Sequence, residues 1–220
     1  MLLSAVMLLT PALARAETLD RVVAAVGAKA ITASDVAAEY RLELLLDGKS
    51  PAAARPDAAT LNQVRDRLID RLLLEHEVEL DGIKVSPDDS AVDQRLEEVR
   101  KKFSSPAAYG AGLQALGLSE DGLRRILAAQ EQILRLIDER WRPLATVEAA
   151  EVESYYRDTL VPDLARQGGQ QAPPLAEVES RIREILVQKK IDALLDEWLK
   201  QARTERGARV FGSAGVEAAS

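Results

Sequence analysis

The 220-residue chain has no cysteine, one histidine and only 4% aromatic residues. Without cysteine there is no disulfide framework, no thiolate metal site and no cysteine nucleophile, and a single histidine leaves no zinc constellation. Aromatic residues are few, and the 47% apolar fraction is largely alanine and leucine. That composition disfavours a β-sandwich and predicts a mainly α fold. Basic charge is also in deficit, with 29 Lys and Arg against 36 Asp and Glu, a net charge of −7. A nucleic-acid footprint is thereby excluded. What is present is enough apolar material, in a chain of this length, for one or two domains with a real core.

The apolar run Met1 to Leu9 is broken by Pro11, and Ala14-Arg15-Ala16 places small residues two apart ahead of Glu17. This pattern predicts a secretory signal peptide over residues 1–16, with an uncleaved anchor as the alternative. The run is shorter than the roughly 20 apolar residues a membrane helix needs. Cleavage after Ala16 leaves 204 residues with a net charge of −8. A periplasmic location is the expectation, and the lack of cysteine is compatible with it.

Val22-Val23-Ala24-Ala25-Val26, the turn Gly27-Ala28 and Lys29-Ala30-Ile31 predict a β-hairpin. Such a hairpin is marginal by itself. Ala208-Arg209-Val210-Phe211 is the one other strand-like segment, and it is expected to add a third strand with Val210 and Phe211 buried. Between these ends lie helix signals. Ser34-Asp35 opens a helix to about Asp47, and a second runs from about Asp57 to Leu80 and closes at Asp81-Gly82. Ser86-Pro87-Asp88-Asp89 reads as a capping box with proline at the first helical position, ahead of the stripe Val92, Leu96, Val99 and Phe103. Ser105-Pro106 starts a short helix, and Ser119 caps a longer one whose Leu123, Leu127, Leu134, Ile137 and Trp141 share a face. A further helix spans about Val147 to Leu160, and residues 161–172 read as a linker containing Gly168-Gly169-Gln170-Gln171. The last helix, Pro174 to about Arg206, would be about 50 Å long and suits a strut. Residues 212–220 are small and polar enough for a disordered tail.

Catalytic candidates are thin. His76, in Glu75-His76-Glu77, lacks the two-histidine spacing of a zinc hydrolase and reads as a half-exposed helix residue. Arg65-Asp66-Arg67 with Asp70-Arg71, and Glu97-Glu98 with Arg100-Lys101-Lys102, read as solvated faces carrying weak ion pairs three or four apart. Gly110 and Gly112 lack a strand-to-helix phosphate loop, and no serine sits in a Gly-x-Ser-x-Gly elbow. No metal, cofactor or enzyme class is indicated.

The order of motifs resembles the SurA and PrsA group of extracytoplasmic chaperones and prolyl isomerases. The resemblance rests on Leu19-Asp20-Arg21-Val22-Val23-Ala24-Ala25-Val26 with Ala30-Ile31-Thr32, on Leu68-Ile69-Asp70-Arg71-Leu72-Leu73-Leu74, and on Gly82-Ile83-Lys84-Val85-Ser86. It continues through Ala115-Leu116-Gly117-Leu118-Ser119, Pro173-Pro174-Leu175, Ile182-Arg183-Glu184-Ile185-Leu186 and Trp198-Leu199. It implies a helical chaperone body over residues 17–211 with a small hairpin completed by a C-terminal strand. Proteins of that group carry a parvulin isomerase domain before the final long helix; residues 161–172 are too few to hold a domain. The resemblance therefore implies a chaperone body without its isomerase.

An apolar cradle between helical arms would bind an unfolded chain without ATP, at about micromolar strength, or about −8 kcal/mol. Tyr40, Phe103, Tyr109, Leu113 and Leu116 are the residues expected to line it. The expected partners are unfolded secreted or outer-membrane polypeptides, with a homodimer left open. Two alternatives stand beside the holdase: an isomerase-family protein with residual activity, and an envelope assembly scaffold with one dedicated partner.

Overall fold

The computed structural model describes residues 20–53, 55–86, 88–166 and 172–215. The expected signal peptide, Pro87, Gly168 to Gln171 and residues 216–220 lie outside them. The chain enters through two antiparallel strands, β1 (Val22–Val26) and β2 (Lys29–Thr32), paired Val26↔Lys29, Ala25↔Ala30 and Ala24↔Ile31. Gly27 takes φ 57° at the turn, where a side chain would be strained. The expected third strand, β3 (Arg209–Val210), pairs antiparallel with β1 through Ala24↔Val210 and Ala25↔Arg209, giving the order β2-β1-β3. Val23, Ala24 and Ile31 turn into the core. Val210 and Phe211 do not, being 51% and 57% exposed. A two-residue strand at the sheet edge contributes main-chain bonds rather than burial, so the expected burial of that pair is corrected.

The helices are α1 (Ala33–Leu46), α2 (Ala58–Asp81), α3 (Ser90–Lys101), α4 (Pro106–Ala115), α5 (Glu120–Trp141), α6 (Ala149–Tyr155), α7 (Val161–Arg166) and α8 (Leu175–Glu205). The fold is mainly α with a small three-stranded sheet, as the composition predicts. Several caps are the expected ones. Ser105 accepts from the Ala108 amide with Pro106 behind it, Ser119 accepts from Gly122, and Gly82 closes α2 in the left-handed conformation. Two starts differ. Thr32, not Ser34, caps α1, because Asp35 sits three residues on and completes a reciprocal capping box. Asp89, not Ser86, caps α3 by accepting from the Ala91 amide; Ser86 instead turns the approaching chain, its carbonyl accepting from the Asp89 amide.

The expected linker over residues 161–172 is partly helical. α6 continues through a π-helical turn, Tyr156–Leu160, into α7, with the Val161 amide donating to the Tyr156 carbonyl. Pro162 supplies no N–H, and this wider turn shifts the hydrogen bonds just ahead of it, so the chain stays helical to Arg166. α8 has 31 residues, about 46 Å, and packs along α2, α5 and α6. It is the strut the sequence predicts.

Three apolar clusters fill the interior. One joins the C-terminal half of α1 to α3, α4 and the first half of α5, around Leu45, Leu96, Leu123 and Leu127. A second sets the sheet on α1 and α2, around Val23, Val36, Val64 and Ile69, with Ala202 of α8. The third lies between the second halves of α2 and α5 and the middle of α8, around Leu74, Leu136, Trp141 and Ile191. Because α5 serves the first cluster and then the third, its buried face rotates along its length. Leu136 is core while the expected Leu134 is exposed.

Carboxylates that hold local structure lie below their ordinary pKa values. The Thr60 hydroxyl and amide lower Asp57, the Ala91 amide and then Arg135 lower Asp89, and Lys190 lowers Glu151. A carboxylate depressed in the fold stabilises fully above its unfolded value, and that contribution is lost as pH falls through the folded value. Thermal melts should therefore show no loss from these groups between pH 8 and pH 5, and a decline beginning below about pH 5. A second prediction concerns Gly48, which has φ 73° and whose added Cβ would lie 2.5 Å from Lys102 Cβ and 2.8 Å from the Lys102 carbonyl. Gly48→Ala should cost more than about 1 kcal/mol in denaturant unfolding, since both the backbone and the contact resist it.

Candidate functional site

A groove opens where β2, α1, α2 and the α4–α5 corner meet, with a hollow of about 590 Å³. Its apolar floor comes from Ile31, Leu42, Leu68, Leu72, Leu116, Leu118 and Ile126. Each element aims these residues by its own period: Ile31 is the inward residue of β2, Leu68 and Leu72 are one turn apart on α2, and Leu116 caps the C-terminal end of α4. Past Lys29 and Glu75 the groove meets a second hollow of about 290 Å³ under the hairpin turn, bordered by Val26, Gly27, His76, Glu79 and Arg206. On its other side a smaller hollow of about 230 Å³ follows α5 along Ile126, Ala129 and Ile133. Glu75 borders all three.

A chain of charges crosses the floor. Arg71 Nη1 donates to Glu39 Oε1 at 2.5 Å, Arg71 Nε lies 3.4 Å from Glu75 Oε1, and Lys29 Nζ is 3.8 Å from Glu75 Oε2. The Nε group is buried and faces Glu75 without an aligned hydrogen bond. Nearby, Arg67 holds Glu43 bidentately at 2.9 and 2.7 Å, and Glu43 raises the Arg67 guanidinium pKa. Arg203 of α8 reaches Asp70 at 2.7 Å. These α2 charges were expected to form a solvated face with local pairs. Instead they bridge α2 to α1 and α8, and Arg65 is 8% exposed. Sequence spacing shows only neighbours on one helix, whereas these partners lie on other helices. Arg100 likewise pairs with Glu120 of α5 as well as with Glu97 of its own helix.

At the hairpin end, Arg206 links three elements. Its carbonyl accepts from the Gly27 amide at 3.0 Å, Nη2 donates to Glu77 at 3.1 Å, and Nη1 contacts His76 Nε2. Since a guanidinium only donates, Nε2 of His76 is the acceptor. His76 is thus a partly exposed helix residue, but also one that joins the end of α8 to the groove wall.

The five residues expected to line a cradle are not brought together as a lining. Tyr109 and Leu113 are each 7% exposed and belong to the first core cluster, with Phe103 packed edge-on against Tyr109 at 5.6 Å. Burial, and then Glu120, push the Tyr109 phenol pKa up. Tyr40 packs against the second cluster. Of the five, Leu116 borders the groove. The correction has a physical reason: α4 is short, and Gly112 lets it press so closely on α1 that an added Cβ would stand 2.7 Å from Leu45 Cδ1. Its large side chains are consumed by that contact. The residues that do line the groove, such as Leu72, Arg71 and Ile126, looked like ordinary helix positions. Only the β-branched Ile31 beside the turn carried a local signal. Among the described residues, no group of three His, Asp or Glu side chains is placed to hold a metal ion. No described helix is long and apolar enough to cross a membrane.

The fold and groove define a mainly α domain whose two ends are joined through one small sheet, with an amphipathic trough along its central helix. The chain belongs to the SurA-like N-terminal domain family, whose model matches residues 5–136. The match runs through the sheet's first two strands and most of α5, so it contains nearly all of the groove; α8 and β3 lie beyond it. Among curated proteins none matches the chain.

Truncating Arg71 leaves the Glu39 carboxylate, 15% exposed, without its partner. Arg71→Ala should therefore cost about 1–3 kcal/mol. A double-mutant cycle with Glu39→Ala should return a coupling above about 0.5 kcal/mol, measured by urea unfolding. Additivity of the two substitutions would remove the pair from the groove's supporting structure.

Proposed function

We propose that this protein is an ATP-independent chaperone of the holdase kind, exported to the periplasm, that binds unfolded, apolar-rich polypeptides in the groove along α2. The observation that carries the reading is an open trough with an apolar floor and charged rim, in a chain whose family is typified by a chaperone's N-terminal domain. Apolar side chains of a client would leave water against Leu72, Leu116 and Ile126, which supplies the affinity. Apolar burial does not depend on the order of the client's side chains, so recognition would be tolerant. The acidic balance of the chain would keep loaded complexes apart by mutual repulsion. Secreted and outer-membrane polypeptides are the proposed clients. No prolyl isomerase step is assigned.

The test is light scattering from several unrelated denatured outer-membrane proteins diluted with and without the chain, at low and high salt. Protection should persist in salt, because exposed charge pairs are screened and apolar burial is not. Ile126→Asp, which puts a carboxylate on the groove floor, should abolish protection in a protein that still melts cooperatively. Equal aggregation with and without the chain would reject the holdase and favour a scaffold with one partner. Proline-peptide isomerisation should stay at the uncatalysed rate, tens to hundreds of seconds at 25 °C.

A further inference from the structure

The segment after β3 has the composition of a disordered tail, yet the structure seats Gly212 to Gly215 in a notch between the start of β1 and the first turns of α2. Arg65 Nη1 donates to the Gly212 carbonyl at 2.7 Å, and Asn62 Oδ1 accepts from the Ala214 amide at 2.8 Å. Arg21 straddles the segment, with Nη1 donating to the Ser213 carbonyl at 2.7 Å and Nη2 to the Gly215 carbonyl at 2.8 Å. Arg65 is itself more than nine-tenths buried, and its remaining donors are held by Asp66 and Asn62. On the α2 side the notch is therefore built: Arg65 is held in direction by Asp66 and Asn62, while Arg21 closes over the segment from the start of β1.

All four of those bonds reach main-chain atoms of the tail. Selection by side chain is steric. Ala214 is 3% exposed within the second core cluster, where a larger side chain has no room. At Gly215 an added Cβ would stand 2.7 Å from Ala58 Cβ and 3.0 Å from Ala58 Cα. The site thus reads peptide carbonyls and one amide, and admits only a small residue followed by glycine.

We propose that this notch is a peptide-binding site for a segment of small residues, filled in this structure by residues 212–215 of the chain itself. It is separate from the groove, since it uses Asn62 and Arg65 while the groove begins at Leu68. Leu68 belongs to both the tail's core cluster and the groove floor, which places the filled notch directly behind the groove wall. The tail is held by contacts that a free peptide of the same sequence can make equally well.

Hydrogen exchange on the full chain tests the occupancy. The Ala214 amide, which donates to Asn62, should exchange at least about tenfold more slowly than in a free peptide of the same sequence, and Gly215→Ala should remove that protection. Adding Ala58→Gly to Gly215→Ala deletes the clashing Cβ and should restore part of it. The binding property is tested by fluorescence anisotropy with a labelled peptide of residues 212–220. It should bind saturably to the full-length Gly215→Val chain, whose notch is vacated, and at least about tenfold more weakly to the unsubstituted chain, whose notch is filled. The peptide carrying Gly215→Val should bind neither. Unprotected exchange of the Ala214 amide in the unsubstituted chain would overturn the proposal. So would failure of the peptide to bind a Gly215→Val chain that retains its helical circular dichroism.

Discussion

The rest of the structure depends on one constraint, the need of α2 to be covered on nearly every side. Its 24 residues carry seven buried positions, from Val64 to Val78, spread too widely for one neighbour to cover. The sheet and α1 cover its first half, α5 covers the second, and α8 lies along both. Apolar burial at about 25 cal/mol per Å² drives each of these contacts. The charges left on α2 must then find partners at the seams between its neighbours. Arg65, Arg67, Arg71 and Asp70 do so with the tail, α1 and α8. Charged pairs at such seams fix how neighbours sit more than they add stability, because their desolvation offsets much of the attraction.

The groove follows from the same arrangement. The C-terminal half of α1 and the first half of α5 pack in a cluster of their own, whereas α2 packs with the sheet, α8 and the second half of α5. Where the clusters diverge, Leu72, Glu75 and Arg71 of α2 are only partly covered and border the groove. A trough of this origin has an apolar floor because its residues are the edges of two cores. It has charged walls because the seam pairs run through it. That combination suits a weakly selective peptide site, and it needs no dedicated motif.

The sheet performs a different task. It brings together residues 22–26 and 209–210, which are nearly the whole chain apart. Arg206 extends the junction, with its carbonyl on the hairpin turn and its guanidinium on α2. The seated tail adds Arg21 and Arg65 to the same corner. The wall of the groove formed by β2 is therefore anchored through the C-terminal end of the chain, although that end lies outside the segment by which the family is matched.

Much of the fold was legible in the order of residues, because helices, caps and turns are set by neighbours three or four positions away. Gly27, Gly82, Ser105 and Ser119 act as local chemistry requires, and the long uninterrupted run after Pro174 could only be a strut. The partner strand at Arg209 was legible because a lone hairpin needs a third strand and the chain offers one other candidate. The tertiary structure decided matters that depend on what arrives from far away. Tyr109 and Leu113 became core because Gly112 admits α1; Arg65 and Arg71 became junctions because their partners sit on other elements; Ala214 became buried because Arg21 and Asn62 stand where its main chain passes. Local patterns state which groups can make a contact, but which contact forms depends on the neighbours that the packing of α2 brings within reach.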